Sequence, residues 1–390
     1  MRVSRWRTWL AGLLLALLAL LALAGCGAAG PNQWQNVGPS GAQITALAAD
    51  PHIHGIIYAG ANDGSTYLAR GDHSGVFAPS TTSPGQGQVN VLFPNPGADG
   101  VVYAGTAGGF YSSSDYGQRY AARNSGLPSG ADVTAVTTLA DTTAIVISVT
   151  QKGLYVSSDG GKSWKAVPAG AGALPAKATV QALLWDDAAQ ALYAAVSDVA
   201  AGVYVSHDAG ATWSNASDGL PANTNVYTLA MAPASGTASS APTLYAGTSS
   251  GAYARAGAAA TWQARGTGLP AGTVYALATY PATPDTLYAG VGQTVYGTSN
   301  GGQQWRKIAN DLEHAAVAIV VTPGQHAPTV AFVAAGQVAR YPGQPGGGDS
   351  TVEGTIIAAI VIGLVAWYVL GHYHIVPSMA DVRRRITQRR

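Results

Sequence analysis

Short apolar runs recur along the chain at a nearly fixed spacing. Runs of the form Val-x-Ala/Val-Leu stand at Ile44 to Leu47, Val89 to Leu92, Val133 to Val136, Val180 to Leu183, Val226 to Leu229, Val274 to Leu277 and Val317 to Val320. Past a Pro, Gly or Asp turn comes a second run, which usually reads Tyr-Ala-Gly. It carries Tyr58, Tyr103, Tyr193, Tyr245 and Tyr288, with Ile147 and Phe332 in two divergent units. A third run carries the Tyr of Gly-x-Tyr, at Tyr111, Tyr155, Tyr204, Tyr253 and Tyr296. It leads into a turn and then a marker aromatic. These markers, Trp34, Phe77, Tyr120, Trp164, Trp213, Trp262 and Trp305, lie 43, 43, 44, 49, 49 and 43 residues apart. Runs rich in β-branched and aromatic residues and bounded by Gly, Pro, Asn and Asp are strands, four to a unit. A period in the forties with several strands per unit predicts a radial β-architecture. The expected fold is all-β, a seven-bladed β-propeller.

Trp34 precedes the first complete unit, and the last unit ends near Tyr341 without a marker of its own. The strand after Trp34 therefore completes the blade begun by Val317 to Arg340, a circular closure that leaves no long sheet edge exposed. The propeller is expected over residues 34–341, one domain where length alone suggests two.

The turns before two of the markers read Ser157-Ser158-Asp159-Gly160-Gly161-Lys162-Ser163-Trp164 and Ser206-His207-Asp208-Ala209-Gly210-Ala211-Thr212-Trp213. Both resemble the Asp-box, or bacterial neuraminidase repeat, S-x-D-x-G-x-[ST]-W. Degenerate copies stand in register at Ser113 to Tyr120, Thr298 to Trp305, Arg70 to Phe77 and Arg255 to Trp262. In such a turn the short Asp accepts backbone N–H groups, Gly supplies the unusual dihedrals and the aromatic packs between sheets. The resemblance makes Ser157, Asp159, Gly161, Trp164, Ser206, Asp208, Gly210 and Trp213 structural residues, on turns away from the ligand face.

Both chain ends carry membrane signals. Arg2, Arg5 and Arg7 precede an apolar run from Trp9 to Ala24 and then Leu23-Ala24-Gly25-Cys26. This is the pattern of an export signal over residues 1–25. Its last four residues resemble the bacterial lipobox, which makes Cys26, the sole cysteine, the lipidated first residue of a tether over 26–33. Residues 342–354 read as a Gly/Pro linker, 355–376 as a transmembrane helix and 377–390 as a basic tail. The run is long enough to cross a bilayer. Arg383, Arg384, Arg385, Arg389 and Arg390 keep the tail cytoplasmic and the propeller outside. The expected location is the bacterial cytoplasmic membrane, with the propeller on its extracytoplasmic side.

Charged residues make up 10 % of the chain and the net charge is +1, without a basic stripe in the propeller, so nucleic acid is not an expected partner. The pairs His52/His54 and His372/His374 lack a third ligand nearby in sequence, and neither a metal nor a cofactor is implied.

Asp-box propellers include sialidases, which bring three arginines, a Tyr/Glu pair and an Asp onto the substrate. The propeller's arginines, Arg70, Arg119, Arg123, Arg255, Arg265, Arg306 and Arg340, all lie in or beside the box turns or outer strands. Arg70, Arg255 and Arg340 share one place at the end of the third strand, which points them to the rim. The chain's two Glu residues are Glu313 and Glu353, the second in the linker. No sialidase centre assembles from these. A two-carboxylate glycoside hydrolase stays open on Asp132, Asp186, Asp187, Asp218 and Asp311. Xyloglucanase-like enzymes of this class place their cleft between two propellers, and this chain has room for one.

The remaining resemblance is to non-enzymatic members, the sortilin-type luminal domains and the photosystem II assembly factors, which implies protein binding or assembly at a membrane. Glycan binding is the alternative. Loops with Gly-Leu-Pro at 126–128, 219–221 and 268–270 lead toward the inner strands and are expected to frame the channel mouth. Residues just after them or in equivalent places, Gln43, Gln88, Asp132, Thr179, Asn225 and Thr273, form a candidate polar ring with Tyr227 and Tyr275 beside it.

Overall fold

A computed structural model describes residues 33–341, apart from 71–75, 86, 141–142, 169–171, 176–177, 234–241, 258–260, 281, 310 and 323–329. Cys26, the signal segment 1–25, nearly all of the tether 26–33, the linker 342–354, the apolar run 355–376 and the tail 377–390 lie outside the described residues. Among the described residues no helix is long and apolar enough to cross a membrane.

The strands form seven four-stranded antiparallel sheets, numbered here 1 to 7 along the chain. Their innermost strands are Ile44–Ala49, Val89–Pro94, Val133–Thr138, Thr179–Asp186, Val226–Ala232, Val274–Tyr280 and Ala318–Thr322. Each inner strand contacts the next, and the seventh contacts the first, so the sheets close into a propeller. Sheet 7 takes its outermost strand, Gln35–Asn36, from the other end of the chain, where Gln35 pairs with Arg340 and Asn36 with Ala339.

The Tyr-Ala-Gly run has a packing cause. Second strands such as Ile56–Ala61, Val102–Thr106 and Ile145–Val149 are buried throughout, because a neighbouring sheet covers each face. The glycine marks where the next sheet's inner strand presses closest. A Cβ on Gly60 would come 2.4 Å from Val89, on Gly105 2.7 Å from Val133, on Gly247 2.7 Å from Val274, and on Gly290 2.8 Å from Ala316.

That last contact corrects the seventh inner run. Ala316 occupies the place of Val89, Val133 and Val274, so the run is Ala316-Val317-Ala318-Ile319, one residue earlier than Val317 to Val320. Val317 accordingly stands where Tyr275 stands in sheet 6.

The Gly-Leu-Pro loops, expected beside the mouth, also clasp the next sheet. Trp164 N–H donates to Ser125 O, Trp262 N–H to Asp218 O and Trp305 N–H to Thr267 O, at 2.9, 2.8 and 2.8 Å. The glycine that follows in each loop, Gly126, Gly219 or Gly268, has φ of +89°, +97° or +89° and lies flat on that Trp backbone. Tyr120 N–H to Thr82 O and Trp213 N–H to Gly172 O repeat the clasp without the motif.

Candidate functional site at the mouth of the ring

The antiparallel order puts the first–second and third–fourth connections of every sheet at one end. The starts of the inner strands and the second–third hairpins lie at the other, the mouth. The Ser-x-Asp-x-Gly turns are third–fourth connections and lie away from the mouth. Their polar groups are consumed locally. In sheet 3, Ser157 Oγ donates to Asp159 Oδ1 (2.7 Å) and accepts from Gly161 N–H (2.8 Å), while Ser163 donates its N–H to Asp159 Oδ1 (2.9 Å) and its Oγ–H to Oδ2 (2.6 Å). Sheet 4 repeats this with Ser206, Asp208, Gly210 and Thr212. Ser113 with Asp115, and Thr298 with Asn300, keep the Ser/Thr-to-Asx bond and the backbone donor to the same oxygen. Hydrogen bonds from Ser163 and Ser157 hold the Asp159 carboxyl well below the usual range, and those from Thr212 and Ser206 lower Asp208 to about 2.

The marker tryptophans lock neighbouring sheets. Trp164 Nε1 donates to Arg123 O (2.8 Å), Trp262 to Ala216 O (2.8 Å) and Trp305 to Arg265 O (2.6 Å). Trp213 instead bonds Gly210 O within its own turn (2.8 Å). Beside it, between sheets 3 and 4, opens a cavity of about 290 Å³ lined by Leu154, Pro168, Leu174 and Pro175.

Arg255 departs from its expected place on the rim. It is 5 % exposed, donating to Gly257 O (3.2 Å), Ala216 O (3.3 Å) and Tyr193 Oη (3.3 Å), with its guanidinium 5.5 Å from the Tyr193 ring and 5.7 Å from the Trp262 ring. In the sheet whose box has lost its Ser and Asp, this cation ties the turn region to sheet 4.

At the mouth, six inner strands carry a β-bulge at one equivalent residue: Thr45, Asn90, Thr134, Gln181, Tyr227 and Tyr275. This row is the variable position of the Val-x-Ala-Leu run, and its two tyrosines are the members that stand out in the sequence. Along one arc the bulge residues are spent on their neighbours. Thr45 Oγ1 donates to Val89 O (2.6 Å), Asn90 Nδ2 to Val133 O (3.0 Å) and Thr134 Oγ1 to Val180 O (3.0 Å). Gln181 Nε2 donates to Ser197 Oγ (2.9 Å).

The opposite arc is apolar and open. Tyr227 and Tyr275 stack with centroids 5.0 Å apart and planes tilted 51°, Tyr275 is 45 % exposed, and Val317 follows at 47 %. Asn225 joins this arc, with Nδ2 3.4 Å from Tyr227 Oη and Oδ1 accepting Asp198 N–H at 2.9 Å.

The other polar-ring candidates are scattered in role. Gln43 Oε1 accepts from Asn62 (2.9 Å), Gln88 reaches Asn90 (3.3 Å), and Asp132 accepts from Asn90 (2.7 Å) and Thr150 Oγ1 (3.0 Å). Thr179 and Thr273 are half-buried at strand starts. The structure therefore joins Asn225, Tyr227 and Tyr275 into one surface and leaves Gln43, Gln88 and Asp132 in side-chain bonds of their own.

All but one of the other candidate acids are committed to local bonds. Asp186 is buried and caps Ala188 and Ala189 N–H at the end away from the mouth, Asp187 bonds Gln190, and Asp311 bonds Lys307 (2.8 Å) and Thr294 (2.5 Å). Asp218 is exposed beside the clasp on Trp262. Asp50, His52 and Asp99 approach one another on the connections away from the mouth. Asp50 is already filled there by Tyr58 Oη (2.6 Å) and two backbone N–H groups, the role Asp186 plays in sheet 4.

No family profile matches this chain, and no curated protein matches it in sequence. Solved structures do match in fold. The GH74 xyloglucanase from Xanthomonas campestris superposes with a TM-score of 0.64 at 18 % identity, over 79 % of this chain and 53 % of that one. YCF48 bound to D1 peptide gives 0.58 at 14 % identity over 80 % and 97 %. The extracellular domain of a one-component system from B. thetaiotaomicron gives 0.59 at 12 % identity over 80 % and 40 %. This chain spans about half the length of the xyloglucanase it matches. At these identities the likeness establishes the β-propeller fold alone.

Proposed function

We propose that this chain is a seven-bladed Asp-box propeller held at the extracytoplasmic face of the cytoplasmic membrane by an acylated Cys26 and a helix over 355–376. There it acts as a non-catalytic platform that binds a protein partner through its mouth. The observation that carries the reading is the stacked Tyr227–Tyr275 pair at the mouth, Tyr227 half-buried and Tyr275 exposed, where the equivalent residues of sheets 1 to 4 are spent on their neighbours. Exposed aromatics beside polar groups are what protein-binding surfaces use as anchors. Trp34 and Tyr341, the first and last ring aromatics, lie together at the end opposite the mouth, which supports tethering from that end. The peptide bound by YCF48, a chain of similar extent and fold, supports a peptide-binding role.

The test is affinity capture of the full chain from cross-linked native membranes, beside a Tyr227→Ala/Tyr275→Ala variant. A protein partner recovered with the wild type and lost with the variant is the expected result. Retention by the variant removes the mouth as the site, and recovery of polysaccharide alone turns the reading toward glycan binding.

A further inference from the structure

The tyrosine arc continues outward into a built track. Asp198 donates its N–H to Asn225, the neighbour of Tyr227, and begins a hairpin between the second and third strands of sheet 4. This hairpin is strained. Asp198 has φ +67° and Ala200 φ +53°, left-handed conformations that non-glycine residues seldom adopt, and Tyr204 Oη holds Ala200 O at 2.9 Å. The same backbone conformation recurs at Tyr116 and Ala209 in the turns away from the mouth, so its meaning here comes from what it presents. Here it lifts Val199 into solvent at 52 % exposure and leaves Asp198 exposed beside the tyrosines. Behind the hairpin lies a cavity of about 280 Å³, between it and the loop 220–223, lined by Tyr204, Asn215, Ser217, Leu220 and Pro221.

Charge along the mouth is one-sided. Asp63, Asp132, Asp198, Asp311 and Glu313 lie on or against its hairpins and strand starts, against Lys152 and Lys307 among described lysines and arginines there, with Lys307 paired to Asp311. His314 stands beside Gly336 on the same end. Cationic segments are drawn to such a mouth and anionic ones repelled.

We propose that this track binds an extended peptide segment in which a lysine or arginine is flanked by apolar residues. The basic side chain meets Asp198, one apolar side chain lies on Tyr227 and Tyr275, and another enters the cavity at Leu220 and Pro221. This rests on the reading that the mouth is the binding face, and it names the chemistry of the partner.

The full-length protein in detergent is probed with arrays of twelve-residue peptides of three compositions, basic–apolar, acidic–apolar and neutral–apolar, and with xyloglucan oligosaccharide. Asp198→Asn serves as the charge variant, because Asn tolerates the left-handed conformation and keeps the hairpin's shape. The expected result is selective retention of basic–apolar peptides. It falls about tenfold with Asp198→Asn, the order of a lost charge-assisted contact, and weakens with salt. Tyr275→Ser also lowers it. No retention of any peptide, equal retention of acidic peptides, or indifference to Asp198→Asn overturns the proposal. If Tyr275→Ser still abolishes capture of the membrane partner, the mouth stands as the binding face and only the partner chemistry fails. Tyr275-dependent binding of the oligosaccharide without peptide binding overturns the proposal in favour of glycan.

Discussion

The rings of Trp34 and Tyr341 lie 5.4 Å apart with planes tilted 46°, joining the first and last aromatic residues of the propeller. Through this pair and the two-residue strand behind it, sheet 7 is sewn from both ends of the domain. Trp34 is 8 % exposed and packs with Tyr288, Ile308 and Leu312 of sheet 6 and its following loop. Trp34→Ala is expected to destabilise by about 3–5 kcal/mol, the cost of truncating a buried aromatic. Denaturant unfolding followed by tryptophan fluorescence measures it. A loss below about 1 kcal/mol would mean that closure adds little to the ring's stability.

Arg255 supplies a second cross-sheet tie. Its loss removes hydrogen bonds to Ala216 O and Tyr193 Oη and two cation–π contacts. Arg255→Met, which retains much of the volume, is expected to cost on the order of 2 kcal/mol. Arg255→Lys should recover only part of this, since an ammonium cannot span the same acceptors. Thermal melts of the three proteins check the order, and a Lys variant as stable as wild type would contradict it.

The clasp glycines separate backbone strain from steric conflict. Gly126 and Gly153 both have positive φ, +89° and +82°, but a Cβ on Gly126 would lie 2.1 Å from Trp164 O and one on Gly153 meets nothing within 4 Å. Gly153→Ala is expected to cost about 1 kcal/mol from conformation alone. Gly126→Ala adds overpacking, for roughly 2–4 kcal/mol in all. Equal effects in parallel unfolding curves would remove the clasp from the account.

The turn aspartates set an acid dependence. The folded Asp208 carboxyl is lowered from 3.8 to about 2 by bonds from Thr212 and Ser206, and Asp159 is lowered in the same sense. A depressed folded-state value stabilises above the unfolded one and loses that contribution as pH falls through the folded one. Stability should therefore decline between about pH 4 and pH 2, with Asp208→Asn flattening that slope. Both carboxylates are solvent-screened, so the decline is shallow. Isothermal denaturation across this range measures it, and an unchanged slope in the variant would assign the acid sensitivity elsewhere.

The repeat made most of the fold legible, because each marker aromatic sits at a sheet-to-sheet contact that recurs once per sheet, with loop insertions lengthening two of the intervals. Closure was legible for the same reason, since Trp34 had no sheet of its own. What failed depended on contacts distant in sequence. Val317 to Val320 fits the apolar pattern as well as Ala316 to Ile319 does, and only the approach of Gly290 to Ala316 decides the register. Arg255 reads as a strand-end arginine until Tyr193, 62 residues away, is brought against it. The Gly-Leu-Pro loops announce a turn, but nothing local says that the turn lies on a tryptophan of the next sheet. At the mouth the two tyrosines were visible as residues. Their difference from Thr45, Asn90 and Thr134 emerges only when those three are seen bonded to the adjoining strand.

The central claim is that partners bind at the mouth and not at the turn end. A photoreactive phenylalanine placed at Tyr275, and separately at exposed Lys162 on the opposite end, tests it in native membranes. The expected result is a discrete protein adduct from position 275, suppressed by Asp198→Asn, and none from 162. Adducts from 162 alone, or equally from both, would contradict it.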